Sequence, residues 1–228
     1  MSSDVKPESV KLKQYENIEP LDNGYSIIQN ERGYRFGSDA VSLYKFARAF
    51  VKENTRVLDL CSGSGVIGIM LAADKGCTVD GVEIDRDLWD MSVRSCSING
   101  LSNVRFYNAD IRAPLPLPTA LYDIVVCNPP FFKADSKPSA IAPNANSELT
   151  VCFDQIAAAA KTHLKVGGAF CIVHTATRLD EIIVSLMAHS LMPKELVING
   201  NGKTFLLRAV RGGKAGMTVS IDDGKKEA

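Results

Sequence analysis

The sequence predicts an open α/β fold: a mainly parallel sheet covered by helices, ending in a C-terminal antiparallel hairpin. Three observations predict it. From Arg56 onward short apolar runs alternate with helical patterns, the mark of strand–helix–strand units. A glycine-rich turn, DLCSGSGVIG (59–68), joins the first such run to the first such helix. Near the end, ELVING and KTFLLRAV flank an Asn-Gly-Asn-Gly tetrad, residues that accept the positive φ of tight hairpin turns.

Each element follows from its local pattern. RVLDL (56–60) reads as a buried strand and 64–76 as a helix stopped by Gly76, glycine being favoured just past a helix end. TVDGVEID (78–85) is a second strand. Residues 86–100 form a helix through Leu88, Met91, Val93, Cys96 and Ile98, ending at Asn99-Gly100. VRFYNAD (104–110) and LYDIVVC (121–127) are strands, separated by RAPLPLPTA, whose prolines exclude regular structure. A long irregular stretch, 131–147, precedes a helix over about 149–164 that Gly167-Gly168 should end; loops of such length in compact domains are usually functional or disordered. AFCIVHT (169–175) is a strand and 178–190 a helix leading into the hairpin. Ahead of the sheet, 24–36 could make a short hairpin, and 38–51 reads as a helix with Ser38 or Asp39 as N-cap. The expected organisation is an N-terminal extension, 1–55, packed on the ligand site of one domain, 56–228.

Composition narrows the classes. With 228 residues, 46% of them hydrophobic, the chain can bury one substantial core. No apolar run approaches the roughly 18 residues of a membrane span, and the polar N-terminus lacks a secretory core; a cytoplasmic protein is expected, with no membrane partner. The 6 cysteines are scattered, with no CxxC pair and no Cys/His cluster at metal spacing around the 3 histidines. Reduced thiols and no metal are therefore expected. The 26 basic and 26 acidic residues cancel, so no global field advertises a nucleic acid. A local basic patch from Lys203, Arg208, Arg211 and Lys214 is nevertheless conceivable, with Lys133 and Lys137 as further phosphate contacts. Oligomeric state is not legible; a monomer is the working expectation.

The glycine turn carries the first chemistry. Gly63, Gly65 and Gly68 match the dinucleotide fingerprint, and Glu83, at the end of the second strand, is placed for ribose hydroxyls. A nicotinamide enzyme fits this much. Asp59 shifts the reading toward S-adenosylmethionine, because a carboxylate there would neutralise an amino acid's ammonium group but repel a pyrophosphate. Asp110, past the third strand, is placed to accept an adenine's exocyclic amine. The bland alternative is that Asp59 and Asp110 cap neighbouring turns.

NPPFF (128–132) carries the second. An amide or aromatic amino nitrogen has a delocalised lone pair, so two acceptors that bind both N–H bonds and favour a tetrahedral nitrogen activate it better than a base does. Asn128 Oδ1 and the Pro129 carbonyl suit those roles, and Phe131 offers a stacking face. Phe132 reads as packing. Cys127 lacks the Pro-Cys order of cytosine methylases and is not read as a nucleophile.

DLCSGSGVIG, GVEID, NAD and NPPFF together resemble class I methyltransferases of the amino-methylating N-P-P-aromatic group. YRFGSDAVSLYKFA, PKEL and FLLRAVRGGKAGM further resemble the bacterial tRNA(Val) adenine-N6 methyltransferases. The resemblance implies a Rossmann-like class I fold with a seven-stranded sheet, S-adenosyl-L-methionine as cofactor and RNA, specifically tRNA, as partner. By position it implies that Arg35, Phe36, Gly37, Ser38 and Asp39 approach the cofactor from the N-terminal side. Asp59, Gly63 and Gly65 would hold the methionine end, Glu83 the ribose and Asp110 the adenine; Asn128, Pro129 and Phe131 would hold the target base. In place of that family's Arg-His-Glu cluster stands Asn144-Ala145-Asn146-Ser147-Glu148. Ribosomal RNA guanine-N2, DNA adenine and protein glutamine-N5 methylation stay open, as does an NAD-binding oxidoreductase.

Overall fold

The computed structural model describes residues 10–21, 24–33, 35–130 and 151–222. β1 (Glu16–Pro20) and β2 (Ser26–Asn30) form a separate antiparallel pair. The main sheet holds β3 (Arg56–Leu60), β4 (Thr78–Glu83), β5 (Val104–Asn108), β6 (Tyr122–Cys127), β7 (Leu164–Thr175), β8 (Leu191–Asn199), β9 (Thr204–Arg211) and β10 (Thr218–Asp222). Their order is β10-β8-β9-β7-β6-β3-β4-β5. Only β9 runs against its neighbours, pairing antiparallel with β7 and β8. The helices are α1 (Ser38–Arg48), α2 (Val66–Lys75), α3 (Arg86–Ile98), α4 (Phe153–His163) and α5 (Leu179–Ala188).

Both faces of the sheet are covered, which is why its central strands read as continuous apolar runs. Val57, Val79, Val126 and Val173 pack with Leu43 of α1, Ile69 of α2 and Cys96 of α3. Leu58, Leu60, Val125 and Ile172 point the other way, onto Phe153 and Ile156 of α4 and Ile182 and Leu186 of α5. Burial of a Val, Leu or Ile side chain is worth about 1.5–3 kcal/mol, so two such layers fix the register of every central strand.

The structure departs from expectation at five places. The main sheet has eight strands, not seven. β10 runs parallel to β8, all five of its residues are exposed, and backbone pairing without a buried face leaves little trace in a sequence. The N-terminal hairpin lies earlier than 24–36, because β1 over 16–20 supplies its first strand. Gly37, not Ser38 or Asp39, is the N-cap of α1, and no side chain caps it. α4 ends at His163, and Gly167-Gly168 lies inside β7, where pairing with β6 shifts register between Tyr122 and Ile124. A Cβ on Gly168 would stand 3.0 Å from the Asp123 carbonyl oxygen, so the pair serves close strand contact, not helix termination. Phe131, Phe132 and the stretch 131–147, with its lysines, fall outside the described residues, as does the start of the expected 149–164 helix.

Candidate active site

The carboxyl ends of β3, β4, β5 and β6 open on one cavity of about 190 Å³. Successive strand ends bring Gly63, Glu83, Asp110 and Asn128 to its wall, with Phe36 and Ala40 approaching from the N-terminal side.

The glycine turn is tied down from both sides. The Ser62 N–H donates to the Val82 carbonyl (3.0 Å), the Gly65 N–H to the Ser62 carbonyl (2.8 Å), and the Gly63 N–H to Glu83 Oε2 (2.7 Å). Glu83 Oε1 accepts from the Asp85 N–H at 2.9 Å. Burial raises the Glu83 carboxyl, opposed by the Asp85 and Gly63 N–H groups. Asp85 then caps α3, its Oδ1 accepting from the Asp87 and Leu88 N–H groups at 2.8 and 3.0 Å. The Asn108 carboxamide donates to the Glu83 and Ile84 carbonyls (2.9 and 3.0 Å). The end of β4 is thereby pinned to that of β5.

Asp59 lies beneath the turn and outside the cavity wall. It is 1% exposed, Oδ2 accepts from the Gly68 N–H at 3.0 Å, and Oδ1 has no partner among the described residues. Burial pushes its carboxyl up to about 7, against the pull of the Gly68 N–H. Its visible work is to hold the first turn of α2. Gly65 also faces away from the cavity. At φ +84°, it leaves room for Phe106 and Ser92: a Cβ there would stand 2.5 Å from Phe106 Cζ and 2.9 Å from Ser92 Cβ. The second glycine of the fingerprint thus admits an aromatic ring of this chain.

Asp110 lines the cavity as an ion pair. Arg112 Nε donates to Oδ1 and Oδ2 (3.0 and 2.9 Å) and the Arg112 N–H to Oδ1 (2.9 Å), while Nη2 stands 2.7 Å from Oδ2 as an ion pair. Arg112 holds the Asp110 carboxyl below its ordinary range. Half-buried Asn128 follows β6 directly, and its carboxamide makes no hydrogen bond among the described residues. Pro129 is buried while Pro130 is exposed and reaches the cavity wall.

Gly37 does not line the cavity, and Ser38 and Asp39 face a separate polar cleft with Asn199 and Asn201 of the hairpin turn. Of the segment Arg35 to Asp39 expected at the cofactor, Phe36 is the residue that lines the cavity. Its N–H donates to Gln29 Oε1 (3.1 Å), Gln29 is 1% exposed, and its amide nitrogen donates to Glu19, which also pairs with Arg35. Gln29 and Arg112 carry no motif, and sequence reading missed both; an Arg two residues past an Asp at a strand exit is the only signal Arg112 offered.

The basic stretch does not form one patch. Lys203 sits at the hairpin turn on the ligand edge. Arg208 pairs with Glu195 (3.2 Å) and lies 4.5 Å over the Phe50 ring, while Arg211 donates to the Leu164 carbonyl. At about 3.4 Å per residue along β9, Lys203 and Arg211 stand roughly 27 Å apart. His174, 1% exposed at the end of β7, accepts the Thr175 N–H at Nδ1 (2.7 Å) and meets Phe153 edge-on. Burial and the neighbouring Arg178 push it down to about 4. All 6 cysteines are free, and among the described residues there is no metal-ligand cluster and no helix long and apolar enough to cross a membrane.

The methyltransferase small domain model matches residues 43–197. The tRNA1(Val) (adenine(37)-N6)-methyltransferase of Dickeya chrysanthemi is 30% identical over 153 residues, covering 65% of this chain and 60% of that protein. The ribosomal protein uL3 glutamine methyltransferase of Bradyrhizobium diazoefficiens is 35% identical over 101 residues, 43% of this chain and 31% of the other. The chain thus spans less than two thirds of the length of either relative. Among solved structures, a geranyl diphosphate C-methyltransferase from Streptomyces coelicolor superposes with a TM-score of 0.60 at 13% identity, covering 75% of this chain and 78% of that one. A SAM dependent methyltransferase from Aquifex aeolicus gives 0.57 at 17%, covering 74% and 89%. At such identities these two establish the Rossmann-like class I fold alone. With a family model matched along most of its sheet, the chain belongs to the methyltransferase small domain family.

Proposed function

We propose that the chain is an S-adenosylmethionine-dependent N-methyltransferase acting on an exocyclic amino group, adenine N6 of a tRNA being the best-supported acceptor. The observation that carries this is Asn128: a carboxamide at the end of β6, on the cavity wall, committed to no other hydrogen bond among the described residues. The donors and acceptors around the cavity fit the cofactor. Glu83 is an acceptor for ribose hydroxyls, Asp110 for an adenine amine, and the Ser62 Oγ is buried without a partner among the described residues. S-adenosylmethionine, when bound, supplies an activated methyl group on a sulfonium centre.

Asn128 Oδ1 and the Pro129 carbonyl accept the two N–H bonds of the target amine, turning its lone pair out of conjugation. Phe131, outside the described residues, is the stacking face that the resemblance implies, and the N-terminal segment reaches the cavity through Phe36. The tRNA acceptor is supported by the named activity of the Dickeya chrysanthemi relative. A glutamine amide poses the same nitrogen problem, and the Bradyrhizobium relative favours it as the second reading.

Labelled methyl transfer to total tRNA and to total ribosomal protein from cells lacking this chain separates the two. The expected product is N6-methyladenosine; label in N5-methylglutamine or N2-methylguanosine overturns the adenine assignment. Asn128→Ala should retain S-adenosylhomocysteine binding and lose transfer by at least about a hundredfold. Near-normal turnover of that variant would make Asn128 structural.

A further inference from the structure

We propose that Arg112 sets the preference of the cofactor site for a 6-aminopurine, by holding the Asp110 carboxylate in one orientation at the cavity wall. This rests on the cofactor reading above and concerns a residue that no motif marks. Every hydrogen bond to the Asp110 carboxylate among the described residues comes from Arg112. Asp110 lies past the end of β5, on a turn whose one main-chain bond among the described residues runs from the Ala113 N–H to the Asp110 carbonyl (3.0 Å). Without the guanidinium, one backbone N–H would remain to orient the carboxylate, and its side-chain torsions would be free.

A carboxylate offers about four lone-pair sites. The Arg112 N–H and Nε take three, two on Oδ1 and one on Oδ2, with Nη2 in ion-pair contact at Oδ2. One acceptor position remains, fixed by a planar fork that a flexible ammonium could not reproduce. An acceptor so fixed discriminates between purines. A 6-amino group donates to it, whereas a 6-oxo group sets oxygen against carboxylate and leaves both unpaired, the arrangement that gives polar sites their selectivity.

The test compares binding of S-adenosylhomocysteine and S-inosylhomocysteine by calorimetry to wild type, Arg112→Lys and Arg112→Ala. Wild type should favour the adenosyl compound by at least about tenfold. Arg112→Ala should shrink that ratio at least about fivefold at unchanged circular dichroism and melting temperature, with Arg112→Lys intermediate. General damage to the cavity would weaken both ligands alike and leave the ratio intact, so a ratio within twofold of wild type in Arg112→Ala overturns the proposal. Equal binding of both compounds by wild type overturns it as well. Wild type that binds neither compound overturns the methyltransferase reading and this one together.

Discussion

Gly81→Ala isolates the packing that underlies the cofactor edge. Gly81 lies in β4, two residues before Glu83, and a Cβ there would stand 2.2 Å from Phe106 Cδ1 and 2.3 Å from Cε1. To reach an ordinary carbon contact of about 3.5 Å the ring must retreat about 1.3 Å. It has nowhere to go: its far end already occupies the space over Gly65, and its backbone carbonyl is held by Trp89 Nε1 at 2.9 Å. Overpacking costs about 1–3 kcal/mol, and the pinned ring argues for about 3, a fall in Tm of about 6–12 °C for a chain of this size. Phe106→Ala alone should cost about 3–5 kcal/mol through its cavity. In the double variant the new methyl partly fills that hole, so the two costs should fall short of additivity by at least about 1 kcal/mol. Urea unfolding of the four proteins measures the cycle. A Gly81→Ala cost below about 0.5 kcal/mol, or strict additivity, would refute the claim that both glycines exist to admit Phe106.

Two titrations with opposite signs follow from the buried groups. Asp59, raised by burial to about 7, lies above its unfolded value of 3.8, so its contribution is complete below about pH 4 and is lost as pH rises through 7, on the order of 4 kcal/mol. The stability difference between wild type and Asp59→Asn, followed by urea unfolding from pH 5 to 8, should therefore move by several kcal/mol; a flat difference would mean that water reaches the carboxyl. His174, lowered to about 4 from 6.5, stabilises the fold above pH 6.5 by about 3 kcal/mol, a contribution lost as pH falls toward 4. Its imidazole resonances should stay those of the neutral ring at pH 5, and a midpoint near 6.5 would count against its burial.

Much of the sheet was legible because strands covered on both faces leave unbroken apolar runs, and glycines and Asn-Gly pairs punctuate them. The placement of Glu83, Asp110 and Asn128 followed from topology, since residues just past parallel strands emerge on one edge. What escaped depends on neighbours distant in sequence. Gly65 looked like a ligand glycine because its partner, Phe106, is a strand away. Ser38 and Asp39 looked like cavity residues because nothing local shows that, of the segment before α1, Phe36 lines the cavity while they face another cleft. The basic stretch looked like a patch because sequence distance hides that β9 crosses the whole sheet. β10 has no buried face to announce it.

The place of β9 governs the order in which the chain can be completed. β7 is a core strand, with Phe170, Cys171, Ile172 and Val173 at 0% exposure, yet its partner on the hairpin side is β9, not the earlier-made β8. During synthesis β8 emerges first and has no seat on the sheet until β9 is inserted between it and β7. Until Arg211 has left the ribosome, the middle of the fold carries a bare row of backbone donors and acceptors, the surface from which strand-to-strand aggregation grows. A truncation that removes β9 therefore exposes the centre of the sheet, not its rim.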